Sequence, residues 1–191
     1  MPRIHILGAS GSGTSTLGSA LARRLGVPHA DSDRLYWLPT DPPYQEPRPA
    51  ELRQALLLQT LPVDGHWVFS GAATKWAAPL EHFYDLVVFL RLEPELRMRR
   101  LRRREAARFG ERILPGGDMA ATNAAFIAWA EAYDTAGPLS RGLVTHEAWL
   151  ADQEAPVLRL DSSAPVQDLV AAVLARLEAL SVPTPTLIGQ R

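Results

Sequence analysis

Gly8 and Gly13 stand five residues apart in the stretch GASGSGTSTL, and Ser15 follows two residues later. That spacing matches the phosphate loop G-x-x-x-x-G-K-[ST] at every fixed position except the lysine, where this chain carries Thr14. The chemistry on offer is anion binding. Gly8, Ala9, Ser10, Gly11, Ser12, Gly13, Thr14, Ser15 and Thr16 form a run whose backbone N–H groups can converge on the phosphates of ATP, helped by the positive end of a helix starting near Thr14. Ser15 holds the place whose hydroxyl ligates Mg2+ in such loops. The dinucleotide pattern G-x-G-x-x-G fits worse, because Gly8, Gly11 and Gly13 have the wrong spacing. A plain strand-to-helix turn, or a loop that has lost its nucleotide, is the other reading of the same residues.

Two carboxylates follow at Asp31 and Asp33. Placed on an extended strand end they alternate in direction, so Asp31 can face a metal while Asp33 faces a phosphate acceptor. With a hydroxyl acceptor Asp33 is the general base; with a nucleotide phosphate no base is needed and Asp33 binds. Two turn-forming aspartates are the plain alternative. Arg34 and Trp37 follow, a cation and an aromatic wall for an acceptor, or packing residues.

A missing loop lysine demands a replacement charge, because cationic clamps on a transferring phosphoryl group are worth about 10^3 to 10^5 in rate. The chain has one lysine, Lys75, placed just after the third expected strand. Nine arginines against four glutamates lie between Arg91 and Arg112, a local excess of +5 in a chain of net charge -1. Arg100, Arg104 and Arg108 recur every four residues and share a helix face, and Arg112 sits in the loop beyond. Arg104, Arg108, Arg112 and Lys75 are therefore the candidate phosphate cations, with a solvated basic face as the alternative. The cluster lacks interleaved aromatics apart from Phe109, which argues against a nucleic-acid surface. The five histidines show no ligand spacing, so no metal is expected beyond nucleotide-bound Mg2+.

The elements that must hold these residues read as alternating strands and helices. RIHILG, a short element reaching Asp31, HWVFSG, DLVVFL and VLRLD are the strands; Leu17, Leu21 and Leu25, and later Leu169, Val173 and Leu177, mark helical faces. Such alternation implies an α/β fold with a parallel sheet covered on both sides. Residues 1–180 make one domain, with an acceptor insert at about 34–60, whose stretch 36–49 holds five of the 16 prolines, and a lid at about 109–118. Residues 181–191 read as a disordered tail. With 47% hydrophobic residues, no cysteine and no apolar run near the ~20 residues of a membrane span, the expectation is a cytoplasmic monomer or small homo-oligomer with neither a membrane nor a nucleic-acid partner.

GASGSGTSTL, DSDRLYW, DLVVFL with its arginine-rich helix, RFGERILPGGDM and LRLDSSAP together resemble the P-loop kinase group of adenylate kinases, other nucleoside monophosphate kinases and shikimate kinases. The likeness is strongest to a bacterial subset with lysine-less loops that goes under the names adenylate kinase or AAA family ATPase. It implies a five-stranded sheet, ATP with Mg2+, and an adenine edge at Asp161, Ser162, Ser163, Ala164 and Pro165. Where adenylate kinases end the third strand in Asp-Gly followed by Arg, this chain has Ser70, Gly71, Ala72, Ala73 and Thr74, which puts Gly71 and Ala72 beside the acceptor. The Asp31-Ser32-Asp33 triplet resembles shikimate-type kinases, where the first Asp supports Mg2+ and the second meets the acceptor. The leading expectation is γ-phosphate transfer from ATP to a nucleoside monophosphate. The alternatives are a hydroxyl metabolite as acceptor, and a nucleotide switch or slow ATPase with no small-molecule acceptor.

Overall fold

The computed structural model describes residues 2–181. The chain runs β1 (Arg3–Gly8), α1 (Thr14–Leu25), β2 (His29–Asp31), α2 (Ser32–Tyr36), α3 (Ala50–Thr60), β3 (Trp67–Ser70), α4 (Ala78–Glu81), β4 (Leu86–Arg91), α5 (Pro94–Phe109), α6 (Ala120–Glu131), α7 (Leu143–Ala151), β5 (Val157–Asp161) and α8 (Val166–Ser181). The tail expected at 181–191 lies, beyond Ser181, outside the described residues.

The five strands form one parallel sheet in the order β2-β3-β1-β4-β5. The continuous apolar runs of β3 and β4 are buried on both faces, as a covered parallel sheet requires. Alternate residues divide the core. Leu7, Trp67, Phe69 and Phe89 pack with Leu57 of α3, Leu80 of α4 and Leu150 of α7. Ile4, Ile6, Val68 and Val88 pack instead with Leu17 and Leu21 of α1 and Leu169 and Val173 of α8. The result is the expected three-layer α/β/α arrangement. Met98 and Leu101 of α5 and Ala130 of α6 make a third, smaller cluster that fixes these two helices together.

Local rules set the ends. Gly26 closes α1 in the left-handed region, its N–H reaching Ala22 O, and Pro94 opens α5 behind a Glu93 carboxylate that accepts from the N–H groups of Glu95 and Leu96. The insert is more regular than its prolines imply. α2 enters it and α3 fills its second half, and only the segment between them is irregular, pinned by a bridge between Trp37 and Pro47. One expectation fails: the strand stops at Asp31, which caps α2 by accepting from the Asp33 N–H, so Asp33 lies in a first helical turn rather than on an extended strand end.

Two core histidines carry a pH consequence. Burial pushes His5 down to about 4 against the opposing effect of its hydrogen bond to Gly71 O, and burial, helped by the charge of Arg141, pushes His146 down to about 3. Both are neutral when folded and protonate near 6.5 when unfolded, so stability is full above pH 6.5 and is lost as pH falls below it. At pH 5 each histidine costs about 2 kcal/mol, and Tm should fall by roughly 10 °C from its value at pH 7.5. Melting curves at the two pH values check this; an unchanged Tm contradicts it.

Candidate functional site

Sheet order reverses around β1, where β3 leaves on one side and β4 on the other, and ligands in open parallel sheets settle beyond the strand C-termini at such a point. A cavity of about 1910 Å³ lies there, lined by the whole run Gly8 to Thr16. Gly11 (φ +90°) fits only without a side chain, since a Cβ would stand 2.7 Å from Arg97 O. Gly13 (φ +94°) caps α1 with no side-chain bond, leaving the first helical N–H groups turned to the cavity for an anion. The glycine cradle and the uncapped helix start fit ATP phosphates.

Ser15 Oγ donates to Asp31 Oδ2, bringing together the two residues expected at Mg2+. A hydroxyl and a carboxylate are hard oxygen donors that suit Mg2+, which is held by one or two protein groups plus substrate phosphates. Among the described residues no group of three or more His, Cys, Asp or Glu gathers to hold a metal by itself.

Asp33 lines the same cavity. Burial and the neighbouring Asp31 charge push its carboxyl above the usual range, while Arg141, Arg104 and Arg108 pull it back. Arg34, Trp37, Gly71 and Ala72 also line the cavity. Gly71 (φ +107°) is required where β3 meets α2, because a Cβ would lie 2.0 Å from Ser32 Oγ. Tyr36, Tyr44 and Trp76 add aromatic wall.

The cations divide. Arg100, Arg104 and Arg108 line the cavity from one face of α5, as their spacing implied. Arg100 donates to Ser162 O at 2.8 Å, Arg104 pairs with Glu105 at 2.8 Å, and Arg108 bonds Tyr44 Oη while lying over the Tyr44 and Phe109 rings. Lys75 lines the cavity and is exposed. Arg112 is not brought there: its guanidinium is divided between Asp41 and Asp118, each at 2.7 Å, tying the 109–118 segment to the insert. Ser162, Ser163, Ala164 and Pro165 line the cavity, whereas Asp161 turns aside and accepts from Ser163 N–H at 2.8 Å.

Sequence reasoning missed three residues. Arg97 is buried behind the loop, donating to Ser10 O at 3.4 Å, Ala130 O at 2.9 Å and Asp134 Oδ2 at 2.9 Å. Arg141, remote from the arginine cluster, donates to Ser10 Oγ at 3.3 Å. Trp129 stands four residues before Tyr133, a spacing that by itself reads as one helix face turned to the core, but Trp129 is 40% exposed and forms cavity wall while Tyr133 is buried. Arg97 was visible only as one arginine of a run, and Arg141 had no pattern to mark it.

A phosphate loop between the first strand and helix of a five-stranded parallel sheet, with paired Ser15 and Asp31 below it, defines a P-loop kinase fold. The chain belongs to the AAA domain family, whose profile matches residues 4–112. It is 42% identical over 171 residues to the uncharacterized protein YqaC of Bacillus subtilis (strain 168), covering 90% of this chain and 94% of that protein. Its fold is similar to that of shikimate kinase from Acinetobacter baumannii in complex with shikimate, with TM-score 0.55 and 18% identity over 96% of each chain. A gluconokinase from Sinorhizobium meliloti 1021 is similar in the same way, with TM-score 0.52 and 18% identity over 94% of this chain and 93% of that one.

Proposed function

We propose that the protein is an ATP-dependent phosphotransferase whose acceptor is a small hydroxyl-bearing metabolite. The observation that carries this reading is the division of labour between two carboxylates in one cavity. Asp31 is committed to Ser15 and to the start of α2, whereas Asp33 has no ion-pair partner within 4 Å among the described residues and stands near three arginines. A phosphate acceptor needs no base, and a hydroxyl acceptor does. The likeness to shikimate kinase and gluconokinase supports the same choice over the nucleoside monophosphate expected first. So does the stretch Ser70 to Thr74, which brings Gly71 and Ala72 rather than an Asp-Gly and an arginine to the acceptor side.

In this reading Gly8 to Thr16 hold the ATP phosphates, and Ser162 to Pro165 border the base. Ser15 and Asp31 would hold Mg2+, whose charge would offset that of the phosphate oxygens. Asp33 accepts the proton of the attacking hydroxyl as the acceptor oxygen bonds to the γ-phosphorus and the bond to the ADP oxygen breaks. Arg34, Trp37, Gly71 and Ala72 shape the acceptor side. Arg104 and Arg108, which line the cavity from α5, supply positive charge toward the transferring group, and Lys75 is a further cation lining the cavity.

ADP formation measured with and without a panel of polyols, sugar acids and hydroxylated cyclic acids tests the proposal. Stimulation by at least one acceptor, with one phosphate found on it per ADP, is the expected result. Thr14 favours a second reading, a slow ATPase; hydrolysis that no acceptor accelerates, nucleoside monophosphates included, selects it.

A further inference from the structure

The loop has lost its lysine, and the residues brought to it differ from those the sequence suggested. Most arginines around the cavity are already held by other groups. Arg97 is consumed by Asp134 and Ala130 O, Arg100 by Ser162 O, Arg104 by Glu105, Arg108 by Tyr44 and Arg112 by Asp41 and Asp118. Lys75 and Arg34 line the cavity but make no hydrogen bond to the loop among the described residues.

Arg141 is placed differently. It lies just before α7, lines the cavity, and donates from Nη2 to Ser10 Oγ, inside the glycine cradle, at 3.3 Å. Its guanidinium stacks on the face of Trp129, 4.5 Å from the ring centroid. It has no carboxylate within 4 Å among the described residues, and its Nε is shut away from solvent without a hydrogen-bond partner. Asp33 lies within electrostatic reach. Gly142 secures the approach: a Cβ there would stand 2.7 Å from Ala136 Cβ and 2.9 Å from Tyr133 O.

We propose that Arg141 is the phosphate-side cation that takes the place of the lysine displaced by Thr14. The proposal rests on the phosphotransferase reading above. A lysine at position 14 would reach the β- and γ-phosphates from the start of α1; Arg141 meets the same loop at Ser10, with Asp33 within electrostatic reach. Its planar fork suits two phosphate oxygens, and its stacking on Trp129 holds it in place before ATP arrives, so less order has to be gained on binding. A charge there serves both partners of the reaction, meeting the γ-phosphate on one side and the developing charge beside Asp33 on the other. It also explains why a phosphate loop can dispense with its own lysine: a second cation at position 14 would compete for the same oxygens.

The test compares Arg141→Met, Arg141→Lys, Thr14→Lys and the double variant Thr14→Lys/Arg141→Met. Each is measured for ATP turnover and, at equilibrium, for affinity to Mg2+–ADP with and without aluminium fluoride as a mimic of the transferring phosphoryl group. Arg141→Met is expected to lose about a hundredfold or more in turnover and a similar factor in aluminium fluoride complex affinity, with ADP affinity within about threefold. Arg141→Lys should retain part of both, and Thr14→Lys alone should bring no gain. In the double variant the new lysine should recover at least about tenfold of what Arg141→Met lost, a rescue that a purely structural role of Arg141 would not show. Loss of turnover with no rescue, or turnover and aluminium fluoride affinity both within about threefold for Arg141→Met, overturns the proposal. The fluoride complex needs no acceptor, so the role of Arg141 can fail while transfer stands, and transfer can fail while the role of Arg141 stands.

Discussion

Replacing Asp33 by Asn should lower acceptor phosphorylation by about 10^2- to 10^4-fold, the range for a positioned general base, while ATP affinity changes by less than about threefold. The asymmetry follows from position. Asp33 shares its cavity with the loop but bonds to none of it, whereas Asp31 is the carboxylate that meets Ser15. Asn keeps the volume and removes the proton acceptor. Acceptor-independent hydrolysis should fall much less, because water needs no group dedicated to a bound hydroxyl. Steady-state kinetics with titration of ATP separates the effects. Equal loss of transfer and ATP affinity would make Asp33 a binding residue, and transfer within about threefold of the parent would remove it from the chemistry.

Asp134→Ala should destabilise the fold by about 3 kcal/mol, the lower end for breaking a buried ion pair, and lower Tm by roughly 6–12 °C. Arg97 is only 1% exposed and pairs with Asp134 at 2.9 Å, while Asp134 itself is 22% exposed. Removing the carboxylate therefore leaves the better-buried charge behind, with Ala130 O at 2.9 Å and the π-face of Tyr133 for company. Replacing both partners, Arg97→Met with Asp134→Ala, removes the stranded charge and should restore part of the loss. Because Arg97 also reaches Ser10 O, the single variant should weaken ATP binding as well as stability. Thermal melts with and without Mg2+–ATP measure both. A loss below about 1 kcal/mol would mean that Arg97 is satisfied without its partner.

Much of the scaffold was legible because it follows local patterns. The apolar runs at β1, β3 and β4, the glycine stop at Gly26 and the proline start at Pro94 each obey a rule that acts within a few residues, and all five strands form, β2 alone stopping short at Asp31. The loop was equally plain, since its glycine spacing is a backbone requirement. The four-residue spacing of Arg100, Arg104 and Arg108 placed them on one face, and that face lines the cavity. Helical periodicity fixes which residues share a side but not what that side meets. Trp129 shows the limit: its spacing from Tyr133 suggested core, yet the two turn to different surroundings because the helix containing Trp129 borders a cavity.

By itself, then, the sequence determined the alternation of strand and helix, the phosphate loop and the presence of excess positive charge, all of them consequences of residue type and short-range spacing. Only the tertiary structure decided how that charge is used. Arg112 looked free and is neutralised by Asp41, 71 positions away in the chain, together with Asp118. Arg141 looked isolated and lies against Ser10, 131 positions away. Electrostatic interaction depends on separation in space and on shelter from water, and in a parallel sheet the crossovers bring distant loops to one edge of the strands. No spacing along the chain encodes which arginine is paired and which remains free beside the phosphate loop.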